Sequence, residues 1–333
     1  MTEGTGKSKF NRRIILDFLS KWGTLLAIVI MFVFFTCDMW GMFLTVDNVI
    51  NILRSVSITT IMAIGMTFAV SVDGMDLSIG ALAGFSMNIV AMMFIWYELG
   101  TIQSILIAVI LTTLLGFVNA FLTVKMKIPD MLATLATQFM ITGVSVTLAG
   151  GGSITEGINR LDGQLAMGKM SAVFKQIGRA PWIIIIMLIV VALAFVFFTF
   201  SKHGRYLYMV GENKEAARLS GISVSKYRTF AYVVSAFCAS IGGILLASRL
   251  GSAQMNAADG YLMPSVAATF ISLSVAGAGK ANPIGAMLGA LLMGMMENGL
   301  IMESVPYYSM NIFKGLVLAV ALALAFVGDR DKE

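Results

Sequence analysis

Long apolar runs separated by short polar breaks dominate the chain. Ten runs are long enough to cross a bilayer as helices, at about 21–37, 53–72, 77–97, 103–124, 131–149, 182–200, 228–249, 264–278, 283–302 and 309–327. Glycines and serines interrupt the second and eighth, which carry the weakest pattern. Ahead of the second, Phe43 to Ser57 mixes Leu44, Val46, Val49, Ile50 and Leu53 with Asp47, Asn48, Asn51 and Arg54. That mixture predicts an amphipathic lead-in lying at the membrane interface. The whole reads as an all-α polytopic membrane protein of about ten transmembrane helices, with 1–333 as a single transmembrane domain.

Two polar breaks are more than connectors. Residues 150–181 begin glycine-rich, continue polar, and are too long for a simple link. They read either as a surface that meets a delivering protein or gates a pathway, or as a loose surface loop. The charged stretch 201–228 holds the second break. Its centre predicts a helix of about two turns over 213–220, with Asn213 as its cap and Glu215 in its first turn. Gly221 follows where a left-handed residue is wanted. This segment reads either as a rigid element that receives a push from another protein or as a solvated connector.

Composition narrows the class. The chain is 58% hydrophobic and 12% charged, about half the charge fraction of soluble domains. The net charge of +5 does not point to nucleic acid, because the cations lie between apolar runs, where they fix topology. The 25 methionines suit irregular helix packing. Cys37 and Cys238 form neither a disulfide framework nor a metal pattern, and the single histidine, His203, reads as a loop residue. Gly4-Thr5-Gly6-Lys7-Ser8 mimics the end of a phosphate-binding loop but lacks the upstream glycine and a following apolar helix. If ATP drives this protein, another chain must bind it.

Ten spans place both termini on one side. Lys7, Lys9, Arg12, Arg13, Lys21, Lys125, Lys127, the six cations of the charged stretch, Lys280, Arg330 and Lys332 fall on that side. Only Arg54, Arg160, Lys169, Lys175, Arg179 and Arg249 fall on the other. The asymmetry predicts cytoplasmic termini, a cytoplasmic 1–20 segment and 201–228 loop, and an extracytoplasmic 150–181.

Eight polar residues in or beside the apolar runs are candidates for a solute path: Asp73, Asp76, Ser78, Asn88, Asn119, Gln138, Glu297 and Asn298. A hydrophilic solute needs such hydrogen-bonding groups. Each also fits an ordinary interhelical hydrogen bond. Asp73 and Asp76 flank Gly74-Met75, which reads as a broken-helix element lining a path or as a plain turn. Asp76 is preferred as a cap for the next helix through the amides near Ser78. The turn is either cytoplasmic or re-entrant. The stretches Asp73–Gly84 and Ala276–Gly289 share a small-rich turn followed by a G-x-x-x-G pattern, a hint of duplication.

Three separated motifs carry a resemblance. They are Gly204-Arg205 with Gly211-x-Asn213-x-Glu215-Ala216-Ala217-Arg218-x-x-Gly221-Ile222, then Ala63-x-Gly65-Met66-Thr67 with Gly74-Met75-Asp76-Leu77-Ser78-Ile79-Gly80, then Gly285-x-x-x-Gly289 with Asn298-Gly299-Leu300. In this order, from about residue 45 to the end, the chain resembles the ribose-type sugar permeases, the membrane subunits of bacterial ABC importers. It departs from their pattern at Glu297, often asparagine there, and at Tyr261–Ser265 and Ser272–Lys280.

The resemblance implies an ABC importer permease fold in the bacterial cytoplasmic membrane and import of a monosaccharide or related polyol. It implies a cytoplasmic ABC ATPase that holds ATP and Mg, a periplasmic or lipid-anchored sugar-binding protein, a second permease subunit and the surrounding lipid as partners. No cofactor or catalytic residue is expected in this chain. Gly204, Arg205, Gly211, Glu212, Asn213, Glu215, Ala216, Ala217, Arg218 and Gly221 would then form the ATPase-coupling element. The alternative is an ion-coupled secondary transporter, for which only Glu297 and the Asp73/Asp76 pair offer acids. A membrane enzyme would need a paired-acid, histidine or nucleophile site, and no such motif is present.

Overall fold

The computed structural model describes residues 24–275 and 279–319. The 1–20 segment, the phosphate-loop mimic, Ala276-Gly277-Ala278 and the C-terminal cations lie outside the described residues. Within them the chain is helical, and isolated bridges at Ile154–Ala253 and Asn159–Leu165 stand in place of strands.

Six described helices are long and apolar enough to cross a membrane: α2 (Val46–Val70), α4 (Thr101–Ala120, prolonged by a π turn to Lys125), α5 (Asp130–Leu148), α7 (Trp182–Phe200), α10 (Val224–Leu250) and α12 (Pro283–Met302). The other four expected spans coincide with shorter helices: α1 (Thr24–Asp38), α3 (Ile79–Ile95), α11 (Leu262–Ser274) and α13 (Met310–Ala319). The ten apolar runs therefore all contain helix, but a count of ten crossings is not established. At 17 residues, α3 rises only about 26 Å, short of a ~30 Å hydrocarbon core. Three short helices lie between spans: α6 (Ala172–Ile177), α8 (Lys202–Glu212) and α9 (Lys214–Leu219).

The expected amphipathic lead-in is not a separate element. Thr45 caps α2 through the Asn48 amide, and Asn48 turns its side chain back to the Phe43 carbonyl at 2.9 Å. With both polar groups satisfied at the cap, Val46 to Val70 runs as one helix.

The helices sort into a centre and a rim. α10 packs on α2, α3 and α4, while α11 and α12 pack on each other and on α2. Within their most apolar stretches, 72% of α10 and 67% of α2 are enclosed by protein, against 28% for α4, α5 and α7. The rim helices thus present leucine, isoleucine and phenylalanine outward. Glycines permit close approaches between helices. A Cβ at Gly243 would strike the Ala83 carbonyl of α3, and one at Gly289 would strike the Ala268 backbone of α11.

The 149–181 segment is not a loose loop. It pairs with the 251–258 connection through Ile154 and Ala253, at 2.8 and 2.9 Å. Phe174 is fully buried against Phe94, with ring centroids 4.7 Å apart. The Gly178 amide donates to Ser248 Oγ at 2.7 Å.

Candidate functional site

The expected coupling segment is two helices meeting at Asn213. Lys202 to Glu212 already forms α8, so His203 is helical rather than in a loop, and its Nδ1 lies 2.8 Å from Tyr227 Oη. Asn213 breaks the helix in extended backbone and caps α9 by accepting from the Ala216 amide at 2.9 Å. Gly221 closes α9 at φ +77°, and the Ile222 amide returns to the Ala217 carbonyl at 2.9 Å. No atom lies within 4 Å of the place a Gly221 Cβ would occupy, so its requirement is the left-handed backbone alone.

One face of this pair is anchored and the other is free. Gly204 packs against the Phe197 and Phe198 backbone, and Gly211 against the Ser71 carbonyl, each too closely for a Cβ. Ala217 and Ile222 are buried. Arg205, Glu212, Asn213, Glu215, Ala216 and Arg218 are exposed. Glu215 and Arg218 pair with each other at 2.8 Å. Leu219, absent from the expected set, is 82% exposed at the tip. It is an apolar knob flanked by charge, and its signal in the sequence was one leucine in a polar stretch.

The anchored face grips two turns. Lys214 reaches Asp73 at 2.7 Å in the α2–α3 turn. Glu212 reaches Lys280 at 3.2 Å in the α11–α12 connection, and Tyr208 Oη donates to the Ala281 carbonyl at 2.7 Å. These are the two stretches that the sequence pattern paired.

The eight path candidates separate into five places. Asp73 is exposed at the gripped turn. Three residues on, the chain has re-entered the bundle, and Asp76 and Ser78 are wholly buried. Asp76 Oδ1 accepts from the Ser78 amide at 3.0 Å and from Ser78 Oγ at 2.6 Å, closing the turn ahead of α3. Ser78 holds the cap position without a side-chain cap bond, so Asp76 orders the turn rather than capping the helix. Its Oδ1 also accepts from Asn119 Nδ2 at 3.3 Å, while Oδ2 accepts from Ser235 Oγ at 2.7 Å. Asn119 takes a further bond from Thr137 Oγ1 at 2.6 Å. One carboxylate thus ties the α2–α3 turn to α4, α5 and α10. Ser235 and Thr137 were not expected there, because single hydroxyls in apolar helices give no sequence signal.

Asn88 bonds Ser145 Oγ at 2.7 Å beside a small cavity of about 20 Å³. Gln138, on α5, has a buried Oε1 with no protein partner. Glu297 and Asn298 border a larger cavity of about 430 Å³ between α2, α11 and α12. It opens at the opposite end of the bundle from α8 and α9, since α2 runs from this cavity down to Ser71 under Gly211. Arg54, Arg249, Tyr261 and Lys314 share its wall. Lys314 pairs with Glu297 at 3.1 Å. The buried Arg54 Nε and Asn298 Oδ1 have no protein partner. The arginines were read only as topology markers, because nothing in their spacing links 54, 249 and 297.

A family model described as branched-chain amino acid transport system / permease component matches residues 48–322. The chain is 34% identical to a ribose import permease protein of Haemophilus influenzae, covering 84% of this chain and 85% of that one. It is 31% identical to a ribose import permease protein of Escherichia coli strain K12, over 84% and 86%. It is 28% identical to a xylose transport system permease protein of the same strain, over 89% of each. No solved structure matches the chain.

Proposed function

We infer that this chain, which belongs to the family of branched-chain amino acid transport system permease components, carries a monosaccharide such as a pentose across the bacterial inner membrane. It is a multi-pass permease subunit of an ABC importer and not itself an enzyme. As proposed, 1–333 is a single transmembrane domain crossing ten times, with cytoplasmic termini. ATP and Mg sit on a cytoplasmic ATPase, a periplasmic or lipid-anchored protein delivers the sugar to the 150–181 face, and a second permease subunit completes the path.

The observation that carries the mechanism is the two-faced α8–α9 pair. Its free face offers the ATPase the Glu215–Arg218 pair and the Leu219 knob. Its anchored face holds both turns through Lys214–Asp73 and Glu212–Lys280. Closure of the ATPases displaces α9. Gly211, seated on the end of α2, passes the displacement to the turns ahead of α3 and α12, and the bundle exchanges inward-open for outward-open states.

The test is a Glu215→Arg, Gly221→Val double variant in vesicles with the ATPase and binding protein. Reversing the charge disrupts docking, and valine strains the left-handed exit. Insertion should be normal, with stimulated ATP hydrolysis and uptake lost together. Full uptake by the well-expressed double variant would overturn the assignment. Single cysteines at Ser153 and Ser223, both exposed, should label with an impermeant thiol reagent from opposite sides. Labelling of Ser223 from outside would reverse the proposed orientation.

A further inference from the structure

The cavity at the end of the bundle away from α8–α9 has an unusual charge balance. Three cations, Arg54, Arg249 and Lys314, face it with one carboxylate, Glu297, leaving a surplus of two positive charges. Lys314 is matched by Glu297 at 3.1 Å. Arg54 and Arg249 are both half-buried, and neither has an ion pair among the described residues. Cations among apolar helices are costly without a counter-charge, and a cation retained there marks a site for one. Elsewhere the chain matches such groups internally, as Arg228 matches Asp130 at 2.6 Å.

The cavity also holds unused hydrogen-bonding capacity of both kinds. Arg54 Nε is a donor and Asn298 Oδ1 an acceptor, each buried and unpaired. About 430 Å³ falls within the range of small-molecule sites, about 300–1,000 Å³. A neutral sugar would meet the donor and acceptor but leave both arginines uncompensated. An anion without hydroxyls would leave the asparagine unpaired.

We propose that this cavity is a binding site for a small polyhydroxylated anion, a sugar acid or sugar phosphate, whose charged group lies between Arg54 and Arg249 and whose hydroxyls meet Asn298 and Glu297. The proposal rests on the transport reading above and narrows its solute class. Arginine suits the role because its planar fork meets carboxylate or phosphate oxygens in pairs.

The test is equilibrium binding to the full chain in nanodiscs of phosphatidylcholine, which carries no net charge. The probes are ribonate, ribose 5-phosphate and ribose. At least one anion should bind tenfold or more tightly than ribose, and its advantage should shrink with added salt. Arg54→Gln and Arg249→Gln should each remove most of that advantage. Arg249→Lys, which keeps the charge but loses the fork, should retain only part of it, and thermal melts of the glutamine variants that match the parent separate lost charge from lost fold. Equal or tighter binding of ribose overturns the proposal, as does an anion preference that survives both glutamine variants. A third overturning result is no preference among the soluble probes together with arginine-dependent retention of phosphatidylglycerol, which would assign the arginines to lipid. Neither ATPase nor binding protein is present, so failure here leaves the coupling experiment standing, and failure of coupling leaves this binding result standing.

Discussion

Two polar clusters sit inside this apolar bundle, and they are built on opposite principles. Around Asp76, every partner is internal: Ser78, Asn119 and Ser235 saturate the carboxylate, and Thr137 saturates the asparagine. Around Glu297, a cavity remains and charges outnumber partners. A closed network in a low-dielectric interior holds helices in register, and an open one is completed by something that arrives. Polarity within a span therefore does not by itself mark a path. What separates the two is whether the protein has already used the hydrogen-bonding capacity.

The sharpest way to break this contrast is to remove the centre of the closed cluster. Asp76→Ala leaves the Ser78 and Ser235 donors buried and unpaired, with Asn119 Nδ2 keeping only its 2.7 Å bond to Ser78 Oγ, and should cost about 3 kcal/mol or more of stability. A large drop in melting temperature in detergent, with poor recovery of the folded chain, is the expected result. A variant that melts like the parent would show that Asp76 is not structural.

The open cluster should respond in the reverse sense. Asn298→Ala removes a group with an unpaired oxygen, so its stability should stay within about 1 kcal/mol of the parent. Uptake by the assembled transporter should fall roughly tenfold, the consequence of losing one well-placed hydrogen bond to solute, about 1.4 kcal/mol. Unchanged uptake would remove Asn298 from the path, and a melt as poor as that of Asp76→Ala would erase the distinction between the clusters.

The smallest effect lies at the end of the bundle near the open cavity. Burial raises the Glu156 carboxyl, but Lys175 at 2.8 Å and the Met170 amide outweigh it and hold the group below its usual 4.5. A carboxyl lowered on folding adds stability above the unfolded value. That stability is lost as pH falls below 4.5 and through the folded value. The pair is partly exposed and screened, so the gain is at most about 1 kcal/mol. Proteolysis of the 149–181 segment should quicken below this pH, and Glu156→Gln should flatten the change. Identical pH profiles for parent and variant would show that the pair does not hold the segment.

Much of the architecture was legible because bilayer solubility and helix caps are local properties. The apolar runs lie where the helices lie, and Asn213 and Gly221 act as the local cap and exit their neighbours predict. The amphipathic lead-in is continuous with the second span: Asn48 is satisfied within the cap, and one helix runs from Val46 to Val70. The 150–181 segment was undecidable from sequence, since its anchors, Ala253, Ser248 and Phe94, are distant in the chain.

Sequence by itself determined an all-helical membrane chain, the position of its polar breaks, the shape of the α9 cap and exit, and through its motifs the permease family. Tertiary structure alone decided which polar residues share a place. Asp76 and Ser235 are 159 residues apart, and Glu297 meets Arg54 and Arg249 only because α2, α10, α11 and α12 converge at one end of the bundle. The physical reason is that caps and turns depend on the nearest few residues. Pairing, burial and vacancy depend on which helix faces which, and in this chain small residues such as Gly243 and Gly289 permit those close approaches.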